Sequence, residues 1–298
     1  MVLMNTVQVP VTSPITFPGL NLTINWNANV FPGTSIGILS NIRWYGVLIA
    51  FGFLLAVIYC NRRCAQFGVT QDQILDMLIC AVPASIVCAR AYYCLFYWEL
   101  FADDPISCLY IWNGGIAIYG AVIGAAAAAV LYCRIKKVPL GAMLDVGALG
   151  LLIGQCIGRW GNFMNREAFG GETASALRMG LIDINGKLAY YHPTFLYESV
   201  WNLLGFVLLH FYSKKRKFDG ELFWLYVAWY GFGRGWIEGL RTDSLMLFAT
   251  GIRVSQLLGF VSCAAALGIW LFIRIRKKPE AEGLYVRRSK AQQEEKIG

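Results

Sequence analysis

The sequence predicts an all-α polytopic membrane protein with seven transmembrane helices. Of its 298 residues, 57% are hydrophobic and only 15% are charged, so the charged residues are too few to cover the surface of a soluble protein of this length. Seven apolar stretches each approach the length that crosses a hydrocarbon core about 30 Å thick. Clusters of Lys and Arg follow every second stretch, as is typical of cytoplasmic connections.

The order of the apolar stretches and basic clusters predicts the topology. The stretches lie at 37–60, 72–97, 114–133, 142–160, 195–212, 221–238 and 252–273. The basic clusters lie at 62–63, 134–137, 214–217 and 274–278. The positive-inside rule then places the N-terminus outside and the C-terminus in the cytoplasm. The net charge of +8 does not favour nucleic-acid binding, because the basic residues follow apolar runs instead of covering one face.

Three segments follow from this topology. The topology makes residues 1–35 an extracytoplasmic N-terminal segment. Because these residues lack a basic region and an apolar core, we do not expect them to be a cleavable signal peptide. Residues 36–275 form the seven-helix membrane domain, with an outward-facing loop at 161–194 between the fourth and fifth helices. Residues 276–298 form a charged cytoplasmic tail, and we expect its segment 282–298 to be disordered.

Three arginines lie in the outer half of the apolar stretches or at its rim. An arginine at the centre of a span costs about 2.5–3.5 kcal/mol, so each one needs a partner or a task. Two or three converging guanidinium groups favour an anionic ligand, and a phospholipid phosphate is the commonest anion at that depth. These arginines are Arg90, Arg159 and Arg234.

Several of the polar residues also have a structural interpretation. Arg234 and Glu238 have the spacing of an i,i+4 ion pair, Arg159 alone could extend to the interface, and Glu167 could be a solvated loop carboxylate. His192 precedes Pro193 and is a base, a phosphate donor or a helix cap, with a structural role favoured. For most of the neighbouring glycines, close helix packing is a better explanation than close approach of a ligand.

The sequence predicts neither a metal site nor a cofactor. Its two histidines fall on opposite sides of the membrane, so they cannot share a zinc ion. The nine cysteines include no CxxC pair and lie mostly in apolar runs, where a thiol behaves as a small hydrophobic group. We assign no chemistry to the cysteines.

The most polar segment at a membrane boundary resembles a family signature. It runs from Gly154 to Gly171 and reads GQCIGRWGNFMNREAFGG. Its pattern GRxGNFxNxExxG resembles the signature of the prolipoprotein diacylglyceryl transferases. Four further blocks resemble that family in the same order, so the resemblance covers about residues 36–275. These blocks are IRWYG at 42–46, IWNGGIAIYGAVIG at 111–124, HPTFLYE at 192–198 and YGFGRGWIEGLR at 230–241.

The resemblance implies an enzyme of the bacterial plasma membrane with its active site toward the outer leaflet. Such an enzyme transfers the diacylglyceryl group of phosphatidylglycerol to the lipobox cysteine of a prolipoprotein signal peptide. A thioether forms and glycerol phosphate is released, as the first step of lipoprotein maturation. The implied partners are phosphatidylglycerol, prolipoprotein signal peptides and membrane lipid, and no nucleic acid.

The candidate site residues combine the resemblance with the membrane-cost argument. We assign a catalytic role to Arg159, Arg234, Glu238 and Tyr119. Glu238 would orient Arg234 or accept the thiol proton. Many family members carry a histidine where this chain has Tyr119. Because a tyrosine hydroxyl is a poor base at neutral pH, the group that accepts the thiol proton is unassigned. The candidate substrate-binding residues are Tyr45, Asn162, Asn165, Glu167, Gly170, His192, Arg241 and Arg90.

Two other functions account for part of these features. A phospholipid transporter or scramblase with a cationic outer-leaflet cavity explains the arginines but not the Asn and Glu residues of the outer loop. A structural or receptor-like membrane protein explains the apolar stretches and leaves the charges unexplained.

Overall fold

The computed structural model describes residues 7–33, 42–241, 253–289 and 291. These residues contain seven long α-helices, and each one overlaps a predicted apolar stretch. The first helix begins seven residues later than expected, and residues 37–41 of that stretch lie outside the described residues. The helices are α1 (Trp44–Arg63), α2 (Gln71–Phe96), α3 (Ile118–Lys136), α4 (Leu140–Asn165), α5 (Thr194–Tyr212), α6 (Glu221–Ile237) and α7 (Val254–Arg276).

Five of the seven helices are long and apolar enough to cross a membrane. They are α1, which continues as a 3-10 turn to Phe67, together with α2, α3, α4 and α7. Their apolar side chains remain largely unburied: only 11% of the most apolar window of α1 or α7 is buried, against 44% for α4. The other two helices are α5 and α6. Helix α6 has only 17 residues, a length of about 25 Å at 1.5 Å per residue. Helix α5 carries the buried polar residues Glu198 and Asn202. The chain is therefore a mostly helical membrane protein.

The prediction of an all-α fold is wrong, because the chain also forms a four-stranded antiparallel sheet. The strands are β1 (Ile15–Phe17), β2 (Leu22–Ile24), β3 (Met179–Ile182) and β4 (Leu188–Tyr191), in the order β2-β1-β3-β4. Asn185 and Gly186 lie in the connection between β3 and β4, and an Asn-Gly pair between apolar runs is a strong hairpin signal. The N-terminal segment and the 161–194 loop thus share one sheet.

A cluster of aromatic and aliphatic side chains joins the sheet to the helices that carry the polar residues. Phe163 of α4 lies between Phe195 of α5, at a ring-centroid distance of 4.7 Å, and Phe17 of β1, at 6.3 Å. Burial of this apolar surface fixes the end of α4 and the start of α5 against the sheet. The buried members of the cluster are Ile15, Phe17, Phe163, Phe169, Met179, Leu181, Tyr191 and Phe195.

The chain divides into two compact units. The first unit contains Met1–Tyr59, Gly147–Arg216 and Glu221–Pro279, and the second contains Cys60–Val146, Lys217–Gly220 and Glu280–Gly298. The first unit therefore holds the sheet, α5, α6 and α7, with most of α1 and the C-terminal part of α4. The second holds α2 and α3. The three segments predicted from the sequence stay a prediction.

Glycines of α6 allow close helix packing in the first unit. A Cβ at Gly231 would lie 2.6 Å from the carbonyl oxygen of Gly259 in α7, and one at Gly235 would lie 2.5 Å from the ring of Phe260. A Cβ at Gly233 would collide with the indole of Trp201 in α5. The packing interpretation of these three glycines is therefore confirmed.

The second unit contains an ordered part of the C-terminal tail, so the expectation of disorder is wrong for residues 282–289. A 3-10 turn at Ala281–Gly283 is followed by a short helical segment. The backbone N–H of Tyr285 donates to the carboxylate of Asp219 at 2.9 Å, and Leu284 is buried. Apolar and hydrogen-bonded contacts thus outweigh the high charge of this segment.

Candidate active site

The end of α4 and the loop after it form a chain of polar contacts. Nη1 of Arg159 lies 3.4 Å from Oδ1 of Asn162, one helical turn later. The side-chain amides of Asn162 and Asn165 both donate to Oε1 of Glu167, at 2.9 and 3.3 Å. Because α4 ends at Asn165, these bonds hold Glu167 against the last turn of the helix. Four predicted site residues therefore lie together.

Glu198 of α5 connects this chain of contacts to α6. Only 5% of its side chain is exposed, and its Oε2 lies 2.6 Å from Nη2 of Arg159. Its Oε1 lies 3.3 Å from Nη1 of Arg234 and 3.5 Å from Nη1 of Arg241. Glu198 is not among the site residues predicted from the sequence. A signal was present, because a carboxylate one turn inside an apolar stretch carries the same membrane cost that identified the arginines.

Glu238 is the second buried carboxylate of the site. Its Oε2 lies 2.6 Å from Nη2 of Arg234 and 3.9 Å from Nε of Arg241, so the predicted i,i+4 ion pair is present. The backbone carbonyl of Glu238 accepts a hydrogen bond from Nη1 of Arg253 at 2.6 Å. Three guanidinium groups share two carboxylates in what we call the arginine–glutamate cluster, defined as Arg159, Glu198, Arg234, Glu238 and Arg241. With all five groups ionised, it carries one net positive charge.

A small cavity adjoins the cluster between α5 and α6. Glu198 and Arg234 line it together with the buried Asn202. Oδ1 of Asn202 accepts no hydrogen bond from the described residues, and a buried acceptor of this kind favours a polar ligand or water. The remaining lining residues are Trp201, Tyr230, Gly233 and Ile237.

The loop after α4 is fixed by backbone contacts at Gly170. Its N–H donates to the carbonyl of His192 at 2.9 Å, and the N–H of Gly171 donates to the carbonyl of Leu240 at 2.8 Å. A Cβ at Gly170 would lie 2.7 Å from Cβ of His192 and 2.8 Å from the oxygen of Leu240. Gly170 is therefore needed for close packing between the loop, the end of β4 and the turn after α6.

His192 and Tyr45 border this loop without joining the arginine–glutamate cluster. Nδ1 of His192 lies 3.3 Å from the hydroxyl of Tyr197, and α5 begins at Thr194, one residue after the position expected from Pro193. The ring of Tyr45, at the start of α1, covers Gly161, where a Cβ would lie 2.7 Å from Cδ2 of the ring. These contacts agree with a structural role for His192 and place Tyr45 over the signature segment.

Arg90 and Tyr119 belong to the second unit. The Arg90 guanidinium donates to the carbonyls of Ser107, Cys108, Gly114 and Gly115, at 2.6 to 2.8 Å. Thus all three guanidinium nitrogens bind the loop before α3. Tyr119 lies in the first turn of that helix with 43% of its surface exposed, and its ring lies 6.4 Å from that of Tyr92. Contact of either residue with substrate stays a prediction.

The described residues offer no metal site. Within residues 7–33, 42–241, 253–289 and 291, no group of three or more His, Cys, Asp or Glu side chains is placed to hold a metal ion. All nine cysteines have free thiols.

Comparison with known proteins identifies the family. A profile of prolipoprotein diacylglyceryl transferase matches residues 34–273. Three relatives, each named phosphatidylglycerol–prolipoprotein diacylglyceryl transferase, come from Lysinibacillus sphaericus, Listeria innocua and Lactiplantibacillus plantarum. They are 43%, 44% and 45% identical, over 80%, 82% and 78% of this chain and 90%, 90% and 86% of their own. On this evidence, and with a charged cluster formed from the family's signature blocks, the chain belongs to the prolipoprotein diacylglyceryl transferase family.

Proposed function

We propose that this protein transfers the diacylglyceryl group of phosphatidylglycerol to the lipobox cysteine of prolipoproteins, in the first step of lipoprotein maturation. The observation that carries the proposal is the arginine–glutamate cluster, in which three guanidinium groups converge in the helical part of a membrane protein of this family. A net positive site of this kind fits the phosphate of an anionic phospholipid.

The chemistry requires a site that stabilises a phosphate leaving group. The cysteine sulfur attacks the diacylglyceryl carbon that is bonded to the phosphate oxygen. The C–S bond forms, the C–O bond breaks, and the electron pair leaves with glycerol phosphate, while the thiol proton passes to a base. We assign phosphate binding to Arg159, Arg234 and Arg241, because guanidinium groups aimed at the leaving oxygen stabilise charge that develops there.

The two buried carboxylates position these guanidinium groups. Glu198 contacts all three arginines, and Glu238 holds Arg234 at 2.6 Å. Of the two roles predicted for Glu238, this geometry favours orientation of Arg234 over proton transfer. Asn162, with Asn165 and Glu167, presents hydrogen-bonding groups suited to the glycerol head group.

The proposed topology has seven membrane crossings, with the active site toward the outer leaflet of the bacterial plasma membrane. The basic clusters after α1, α3, α5 and α7 support this orientation, because they alternate with connections that are mixed or acidic. Residues 7–33 and the loop after α4 share one sheet, which fits the prediction that both are extracytoplasmic. A lipobox peptide that emerges on the outer face would then reach the site.

A reconstituted transfer assay tests the activity. Purified protein is mixed with phosphatidylglycerol and a lipobox peptide, and mass spectrometry follows the peptide and released glycerol phosphate. We expect a thioether-linked diacylglyceryl peptide and an equal amount of glycerol phosphate, and no product from a peptide with Cys replaced by Ser. If the protein moves labelled lipid between leaflets but forms no thioether, the transporter interpretation is correct and the proposal is wrong.

A further inference from the structure

Arg166 is a buried cation of the signature segment that lies outside the arginine–glutamate cluster. Only 3% of its surface is exposed. Among the described residues no carboxylate lies within ion-pair distance of its guanidinium, although burial of an uncompensated charge is costly. Backbone oxygens surround it instead: Nε donates to Ser13 at 2.8 Å, Nη1 to Met164 at 2.9 Å, and Nη2 to Trp26. Arg166 therefore connects the N-terminal segment to the end of α4.

The backbone around Arg166 adopts a conformation that residues other than glycine rarely adopt. The φ angles of Arg166 and Ala168 are +55° and +56°, in the left-handed region. These two residues flank Glu167, whose carboxylate accepts both asparagine amides. Such backbone persists only where its surroundings hold it. The hydroxyl of Thr194 donates to the carbonyl of Ala168, and the guanidinium of Arg166 supplies the contacts on the other side.

The N-terminal segment is itself firmly placed where Arg166 binds it. Thr16 of β1 pairs with Gly180 of β3, and the hydroxyl of Ser13 donates to the carbonyl of Ile182 at 3.1 Å. Ile15 is buried in the aromatic cluster of the sheet. All these N-terminal residues precede residue 34, where the family match begins. The Ser13 carbonyl, which accepts the bond from Nε of Arg166, is thus held beside the sheet.

We propose that Arg166 and the N-terminal segment 13–26 form a positioning device for the active-site loop. Arg166 holds the turn at 166–168, in which Arg166 and Ala168 are left-handed, and this turn directs the Glu167 carboxylate toward Asn162 and Asn165. Arg166 is not assigned to phosphate binding, because it is buried and its guanidinium donates to the backbone oxygens of Ser13, Met164 and Trp26. The effect on turnover rests on the proposed transferase function, whereas the effect on the loop does not.

The test compares Arg166→Met and Arg166→Lys with a matched control, Arg178→Met. Arg178 also donates to two backbone carbonyls, those of Ala174 and Ser175, but lies outside the signature segment. In the transfer assay we expect Arg166→Met to lower kcat by about 10- to 100-fold, as small displacements of positioned groups do, with KM for phosphatidylglycerol nearly unchanged. Arg166→Lys should recover part of this loss, and Arg178→Met should behave as the wild type.

A double-mutant cycle separates positioning from general destabilisation. If Arg166 acts through Glu167, adding Arg166→Met to Glu167→Gln should lower kcat by much less than it does alone. Fully multiplicative losses would overturn the proposal. So would a fall in activity matched by the Arg178→Met control.

Amide hydrogen exchange gives a readout that does not need activity. We expect exchange within residues 162–171 to rise in Arg166→Met and, to a smaller extent, in Arg166→Lys, and to stay unchanged in Arg178→Met. Unchanged exchange in both Arg166 variants would overturn the proposal. Failure of the wild type to transfer lipid would refute the proposed function alone, since the exchange result would still decide whether Arg166 holds the loop.

Discussion

Replacement of Glu198 by glutamine tests the arginine–glutamate cluster most directly. The substitution keeps the size of the side chain and removes the charge that Arg159, Arg234 and Arg241 share. The net charge of the cluster rises from one to two, and no other carboxylate among the described residues contacts Arg159. The variant therefore changes electrostatics with little change in packing.

The distances set the magnitude of the effect. The three nitrogens lie 2.6, 3.3 and 3.5 Å from the carboxylate oxygens of Glu198, so each attraction amounts to roughly 5–6 kcal/mol at an effective dielectric constant of about 20. Desolvation offsets most of this gain, and loss of one partner of a buried pair typically costs about 3–5 kcal/mol. The exposed fractions of the three arginines are only 12 to 20%, so solvent screening reduces this figure only modestly.

We expect Glu198→Gln to lower the thermal unfolding temperature in detergent and to reduce kcat/KM by about 100-fold or more, as loss of positioned charge stabilisation does. Added glycerol phosphate should stabilise the variant more than the wild type, because the anion can replace the missing carboxylate charge. The control is Glu172→Gln, the same substitution at an exposed position of the 161–194 loop. If both variants show the same stability and activity, Glu198 does not organise the site.

Three further substitutions test separate parts of the site. Arg234→Lys should lower kcat/KM by about tenfold or more, because one ammonium group cannot reach both carboxylates as the planar guanidinium does; full activity would show that Arg234 need not contact Glu198 and Glu238 together. Gly170→Ala should destabilise the protein by about 1–3 kcal/mol through overpacking, whereas Gly171→Ala, where the nearest atom to a new Cβ is 3.9 Å away, should melt like the wild type. Tyr119→Phe should retain most activity in the transfer assay, and complete loss would show that the hydroxyl takes part in the chemistry.

The helices could be predicted because each depends on a long apolar run, which is a local property of the sequence. Their boundaries were less predictable. Helix α1 begins at Trp44, because the preceding residues of the N-terminal segment pair with its start: the N–H of Trp44 donates to the carbonyl of Ala28. The strands were missed because each has only three or four residues, too few to show an alternating pattern. The Asn185-Gly186 pair was the one available signal.

The candidate site was predictable in its residue types but not in its connections. The cost of charge in the membrane singled out Arg159 and Arg234, and the family pattern supplied Asn162 and Glu167. That a single carboxylate, Glu198, lies between three arginines could not be predicted, because these residues come from α4, α5, α6 and the turn after α6. Only the packed helices bring them within ion-pair distance.

The glycines of α6 have a consequence for genetics. The backbone on either side of Arg234 touches α7 and Trp201 at Gly231, Gly233 and Gly235. At these three of five successive positions, the size of the side chain alone therefore decides whether a substitution is tolerated. Most single-base changes in a glycine codon introduce a larger side chain. A screen for inactive alleles should therefore recover substitutions at these glycines as often as substitutions at the charged residues. Loss of activity at the glycines would reflect a change in helix spacing, not the loss of a chemical group.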